Sequence, residues 1–141
     1  MCSDSYDEYG QWGVCRYTCI VDRFADPQAN RTCVRNCSRS PLALFGIIAA
    51  RRICVTAANC PTNFYGDNNT LTCVNPCSGT LPFGDPVSKQ CVSDCPDGYY
   101  GDKVSRLCVR ICNFTTYHYA DNITGNCETL CTLGTFGVNA S

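Results

Sequence analysis

The sequence lacks any long apolar run. The longest, PLALFGIIAA at residues 41 to 50, is about half of the roughly 20 residues that span a bilayer. No transmembrane segment is therefore expected in it. Leu, Ile and Val are sparse and mostly isolated. That argues against an ordinary hydrophobic core, and the 45 % apolar content is inflated because it counts the cysteines. Charge of one sign is missing as well. The 11 Lys and Arg are interspersed with 12 Asp and Glu, for a net charge of −1. No basic patch points to nucleic acid, and no acidic tail points to a basic partner. Histidine occurs once, at His118. No secretory leader is visible, because Met1 is followed directly by Cys2 and an acidic stretch.

Cysteine is what the chain has in excess. It supplies 15 of 141 residues, the density of a disulfide scaffold. Seven prolines, eleven glycines and many Asn, Asp, Ser and Thr predict turns and short extended pieces. Six N-x-S/T sequons are present, at Asn30, Asn36, Asn68, Asn113, Asn122 and Asn139. Asn36 is a poor acceptor, since Cys37 fills its middle position. N-linked glycans and stable disulfides both need the secretory route. The two signals agree on an extracellular or cell-surface protein, and Met1 is then not expected to be its natural start.

The cysteines fall into a repeat. Openers stand at Cys2, Cys19, Cys37, Cys60, Cys77, Cys95, Cys112 and Cys131. They are 17 to 19 residues apart except for 23 after Cys37. Closers stand at Cys15, Cys33, Cys54, Cys73, Cys91, Cys108 and Cys127. Each lies four residues before the next opener, except Cys54, which lies six before. FAD, YGD, FGD, YGD and YAD end at Asp26, Asp67, Asp85, Asp102 and Asp121, six or seven residues before a closer. Val follows the closer at Val34, Val55, Val74, Val92 and Val109. The formula C-(P)-x-x-Y/F-(Y)-G/A-D-x5-C-V-x-x-C divides the chain into 1–18, 19–36, 37–59, 60–76, 77–94, 95–111, 112–130 and an incomplete 131–141. The third repeat is atypical: it carries the apolar run and has lost its Asp. The sequence is expected to be a window from a longer array.

A repeat of about 17 residues is too short to bury a core, so each needs a staple and its neighbours. If each opener bonds its own closer, the pairs are Cys2–Cys15, Cys19–Cys33, Cys37–Cys54, Cys60–Cys73, Cys77–Cys91, Cys95–Cys108 and Cys112–Cys127. Cys131, whose closer is missing, is left unpaired. A shifted scheme pairs each closer with the next opener and strands Cys2 instead, but it closes very small loops. Crossed pairing between neighbours also stays open. The aromatic residue suits a strand packed on the disulfide. Gly-Asp reads as turn chemistry, with Gly at positive φ and Asp bonding backbone two residues on. Each repeat is thus expected to be a short β-hairpin in a small disulfide-rich, mostly irregular fold with little helix, stacked into an elongated tandem-repeat rod. The long spacing in the third repeat puts its hairpin in question. Its apolar run is expected to contact another repeat or another subunit.

Rival chemistries fit less well. Structural zinc usually takes C-x2-C or C-x4-C knuckles with further Cys or His, whereas this chain has C-x3-C and one His. His118 reads as a packing or surface residue. Calcium loops gather several carboxylates at close spacing, and each repeat offers one Asp, which turn capping explains. No redox C-x-x-C is present. No nucleophile stands beside a base, and no pair of carboxylates converges in the pattern. No catalytic role and no cofactor are expected. Tyr and Arg in YYGDKVSRLC are placed to stack by cation–π contact, which would stabilise rather than react.

The stretches CPDGYYGDKVSRLCVRIC (95–112) and CPTNFYGDNNTLTCVNPC (60–77) carry a resemblance. The formula resembles furin-like repeats and growth-factor-receptor-type cysteine-rich modules, as in the tandem arrays of surface proteins of ciliates and other protists. The resemblance covers nearly the whole chain. It implies an extracellular disulfide-linked rod, names no ligand and does not imply the furin protease. The reading that follows is a structural glycoprotein self-associating into a surface coat or fibre. The competing class is a ligand-binding or adhesive ectodomain.

Overall fold

The computed structural model describes residues 19, 22–29, 32–38, 42–48, 52–117 and 119–137. They form twelve very short strands and a single turn of 3-10 helix at Ala57–Asn59. In chain order the strands are β1 (Phe24–Asp26), β2 (Thr32–Val34), β3 (Phe45–Gly46), β4 (Cys54–Val55), β5 (Tyr65–Asp67) and β6 (Thr72–Val74). They continue with β7 (Phe83–Gly84), β8 (Cys91–Val92), β9 (Tyr100–Asp102), β10 (Leu107–Val109), β11 (Tyr119–Asp121) and β12 (Asn126–Glu128). The fold is disulfide-rich, with almost no helix and many short strands in small sheets. Each odd strand carries the aromatic residue and each even strand the closer, and the two pair antiparallel as a hairpin. The third repeat forms its hairpin too: Phe45 pairs with Val55 and Gly46 with Cys54, so its extra residues lengthen the loop and leave the pairing intact.

Six disulfides close these hairpins: Cys19–Cys33, Cys37–Cys54, Cys60–Cys73, Cys77–Cys91, Cys95–Cys108 and Cys112–Cys127. Each joins an opener to the closer of its own repeat. Cys131 is free and half-buried. Cys2 and Cys15 lie outside the described residues. A crosslink over a loop of about 15 residues is worth about 3 kcal/mol through the entropy it removes from the unfolded chain.

The chain divides into two compact units at Asn75 and Pro76. In the first, β1 and β2 form a two-stranded sheet, and a four-stranded sheet runs β4-β3-β6-β5. In the second, one six-stranded sheet runs β11-β12-β9-β10-β7-β8. Antiparallel pairs within hairpins alternate with parallel pairs between successive hairpins, and each parallel pair touches at one register: Gly46 with Thr72, Gly84 with Leu107, Gly101 with Asn126. A parallel bridge of the same kind joins Ala25 to Ile53. The backbone explains the recurrence. The Ala25, Gly46, Gly84 and Gly101 amides donate to the carbonyls of Arg52, Leu71, Arg106 and Gly125 at 2.7 to 2.9 Å. Every acceptor lies two residues before a closer.

The core is a series of small clusters. Phe24, Leu44 and the Cys37–Cys54 disulfide pack together, as do Phe45, Ala57 and Cys73. The apolar run of the third repeat is thereby divided: Leu44 packs toward the second hairpin and Phe45 toward the fourth, while Leu42 and Ile48 stay exposed. In the second unit Tyr117, Cys112 and Cys127 pack with Tyr100 and Val109.

Candidate functional site

The recurring chemical feature is an aspartate at the start of the turn in every described hairpin but the third. Asp26, Asp67, Asp85, Asp102 and Asp121 each accept the amide two residues on, from Gln28, Asn69, Val87, Val104 and Ile123, at 2.8 to 2.9 Å. The last four also accept, through their main-chain oxygens, the amides of Leu71, Lys89, Arg106 and Gly125 at 2.8 to 2.9 Å. Those four residues are left-handed, with φ between 54° and 67°. The pair of bonds closes the turn, and the left-handed Leu71, Arg106 and Gly125 then aim their carbonyls at the neighbouring hairpin.

The second carboxylate oxygen reaches further. Asp26 accepts from Ser38, from the amide at 2.8 Å and the hydroxyl at 2.5 Å. Asp121 accepts from the amide and hydroxyl of Thr132. Ser38 and Thr132 each follow the next opener, so the carboxylate ties one hairpin to the start of the next. Pro96 holds that place for Asp85 and has no amide to give, and Asp85 takes Ser88 of its own turn instead. Asp102 is reached by the Tyr117 hydroxyl.

These partners set the acidity. Burial pushes the Asp26, Asp85 and Asp102 carboxyls up, but the bonds they accept outweigh it and hold all three below the ordinary carboxylate range. The Thr132 hydroxyl is the main cause of the same lowering at Asp121. Burial, followed by the Asp102 charge, pushes the Tyr117 phenol up. The carboxylates are thus occupied as hydrogen-bond acceptors in turns. Among the described residues no three His, Cys, Asp or Glu side chains converge on a point where a metal could sit.

The Gly of the Gly-Asp pairs, and Gly46 at the same place in the third repeat, is not at positive φ. Gly46, Gly66, Gly84 and Gly101 lie in or end strands and are not left-handed; among the described residues the left-handed glycines are Gly79, Gly98, Gly125 and Gly134. The expectation that the Gly of Gly-Asp sits at positive φ is corrected, and Gly66 and Gly101, with Gly46 of the third repeat, make room instead. A Cβ on Gly46 would lie 2.5 Å from the Phe24 ring, one on Gly66 2.7 Å from Phe45, and one on Gly101 2.6 Å from Phe83. Each ring belongs to the preceding hairpin. Real carbon atoms do not approach so closely, so the ring lies where a side chain would have been.

Of the sequons, Asn30 and Asn139 lie outside the described residues, as does His118. Asn36, Asn68, Asn113 and Asn122 are exposed. Cys37, in the middle of the Asn36 sequon, is buried in its disulfide. Asn68 and Asn122 directly follow the turn aspartate. Asn113 Oδ1 accepts the amide and hydroxyl of Thr115, at 3.0 and 2.7 Å. The cation–π partner of Tyr99 is Arg110, at 5.1 Å from the ring centroid, rather than the Arg106 of YYGDKVSRLC. Sequence reasoning passed over the FG pairs at Phe45–Gly46 and Phe136–Gly137, because Ile47 and Val138 stand where an Asp marks the other repeats. A search for aromatic-Gly without the Asp would have found them.

No family model matches the chain, and comparison with curated proteins and with solved structures gave no match. The six disulfides are those of a protein that matures in an oxidising, secreted or extracellular setting. No helix among the described residues is long and apolar enough to cross a membrane.

Proposed function

We propose that the protein is an extracellular structural glycoprotein, a disulfide-stapled repeat rod that self-associates into part of a surface coat or fibre. One observation carries the reading: the same stitch recurs between successive hairpins. It consists of a strand amide given to a left-handed carbonyl, joined at three of these junctions by an aromatic ring laid over the next hairpin's glycine: Phe24 on Gly46, Phe45 on Gly66 and Phe83 on Gly101. Interactions that recur within each unit, between the second and third, third and fourth, fifth and sixth, and sixth and seventh hairpins, and touch only nearest neighbours are those of an array that gains strength by extension. The likeness to furin-like repeats supports the same reading through motif alone. Secretion from a glycosylating host tests it. Material that loses mass on glycan release and forms elongated particles by negative-stain microscopy agrees with the proposal. Compact, carbohydrate-free monomers contradict it.

A specific observation favours an adhesive or ligand-binding ectodomain as the second reading. Val87, Val104 and Ile123 each stand two residues after the turn aspartate, on three successive hairpins, and all are about two-thirds exposed or more. Apolar side chains repeated at one place on a surface suit contact with another protein.

A further inference from the structure

A cleft of about 320 Å³ in the second unit has a sequon for one wall. Asp94, Asp97, Tyr99 and Tyr100 line it from the sixth hairpin and its approach, and Asn122 and Thr124 from the seventh. The Tyr100 hydroxyl donates to Asn122 Oδ1 at 2.6 Å. Arg110 Nε donates to the Tyr99 hydroxyl at 3.0 Å, and its guanidinium lies over that ring. Both phenols are therefore held in place before anything enters.

N-glycosylation uses the other amide atom. Asn122 Nδ2 bonds to C1 of the first sugar and loses one proton, and the lipid diphosphate carrier supplied by the secretory pathway departs. Oδ1 remains a carbonyl acceptor, so the Tyr100 bond survives modification and fixes the amide plane at the rim of the cleft. Phenol faces suit the C–H faces of a sugar ring, and the Asp94 and Asp97 carboxylates can accept its hydroxyls. Two other sequons show what is special here. The aromatic residue preceding Asn68 by one hairpin is Phe45, which is fully buried and has no hydroxyl. The Oδ1 of Asn113 is held by Thr115 of its own sequon.

We propose that the first N-acetylglucosamine of a glycan on Asn122 seats in this cleft, against Tyr100 and beside Asp94 and Asp97, and pins the sixth hairpin to the seventh. The inference rests on the glycoprotein reading above and adds to it: this glycan is an internal brace rather than a projecting shield.

The test uses the full chain secreted from a host that makes oligomannose glycans, in two forms that retain either the Asn122 or the Asn113 sequon. Each folded form is trimmed to a single sugar with an endoglycosidase, or stripped completely with an amidase. In the Asn122 form, trimming is expected to leave the thermal midpoint unchanged, and stripping to lower it by roughly 4 °C. Tyr100→Phe, which keeps the ring, should shrink that loss. The same chain made without glycosylation, which keeps the Asn122 amide, should melt with the stripped form, and a midpoint equal to that of the trimmed form would assign the loss to the carboxylate the amidase leaves and overturn the brace. In the Asn113 form neither treatment should move the midpoint. An occupied Asn122 whose removal leaves the midpoint unmoved, or moves it no more than at Asn113, overturns the brace and leaves the glycoprotein reading standing. An empty Asn122 with sugar elsewhere overturns the brace alone, and a chain with no carbohydrate at any sequon overturns both.

Discussion

At the scale of single residues, the glycines and aspartates carry the account. Gly66 faces the ring of Phe45, which is 0 % exposed and has nowhere to move. Gly66→Ala is expected to cost about 1 to 3 kcal/mol, as overpacking of a close-packed site does. Ala120→Gly, at the same position but exposed, should cost no more than the roughly 0.5 to 1 kcal/mol of added chain entropy; denaturant unfolding of both variants checks the pair. The aspartates make a prediction about pH. The folded values of Asp26, Asp85, Asp102 and Asp121 lie below the usual one of about 3.9, so acid drives protons onto the unfolded chain first. Their contribution is complete above that value and is lost as pH falls through the lower folded values. Thermal melts should be flat from neutrality to about pH 5 and fall below about pH 4, and Asp26→Asn should flatten the fall. The sequence made Asp legible as a turn former, because its bond to backbone two residues on is local. It misrepresented Gly, because the reason for Gly66 or Gly101 is a ring some twenty residues away, and no local rule contains that ring.

At the scale of the hairpin, the cysteine period was readable and much of the turn was not. Spacing alone marks where the two strands of each repeat must meet. The residue two before the closer is left-handed in hairpins whose sequences offer Leu71, Lys89 and Arg106 there, none of which signals positive φ. Only Gly125 hints at it. A non-glycine residue in this conformation costs roughly 1 to 2 kcal/mol, which the turn bonds to Asp must offset. Gly125→Val should therefore destabilise by about that amount, read by the shift in denaturant midpoint. The third hairpin was obscured because its aromatic-Gly pair is followed by Ile47, yet its disulfide and parallel bridge follow the same plan as the others. Replacing Cys60 and Cys73 together by Ala should cost about 3 kcal/mol, the entropy of a loop of 13 residues.

At the scale of the molecule, function on this account resides in repetition. The Asp-to-next-opener tie is present at Ser38 and Thr132 and blocked by Pro96, so junctions vary in strength around one design. The exposed Val87, Val104 and Ile123 show that the turns also present a repeated surface. Everything depends on each opener closing its own hairpin, since the shifted pairing would leave every turn unstapled. The most direct test is peptide mapping of the secreted chain without reduction. The account predicts linked peptides for Cys19–Cys33, Cys37–Cys54, Cys60–Cys73, Cys77–Cys91, Cys95–Cys108 and Cys112–Cys127, with Cys131 in none of them. Peptides joining a closer to the next opener, such as Cys73 to Cys77, or free thiols throughout, would contradict it.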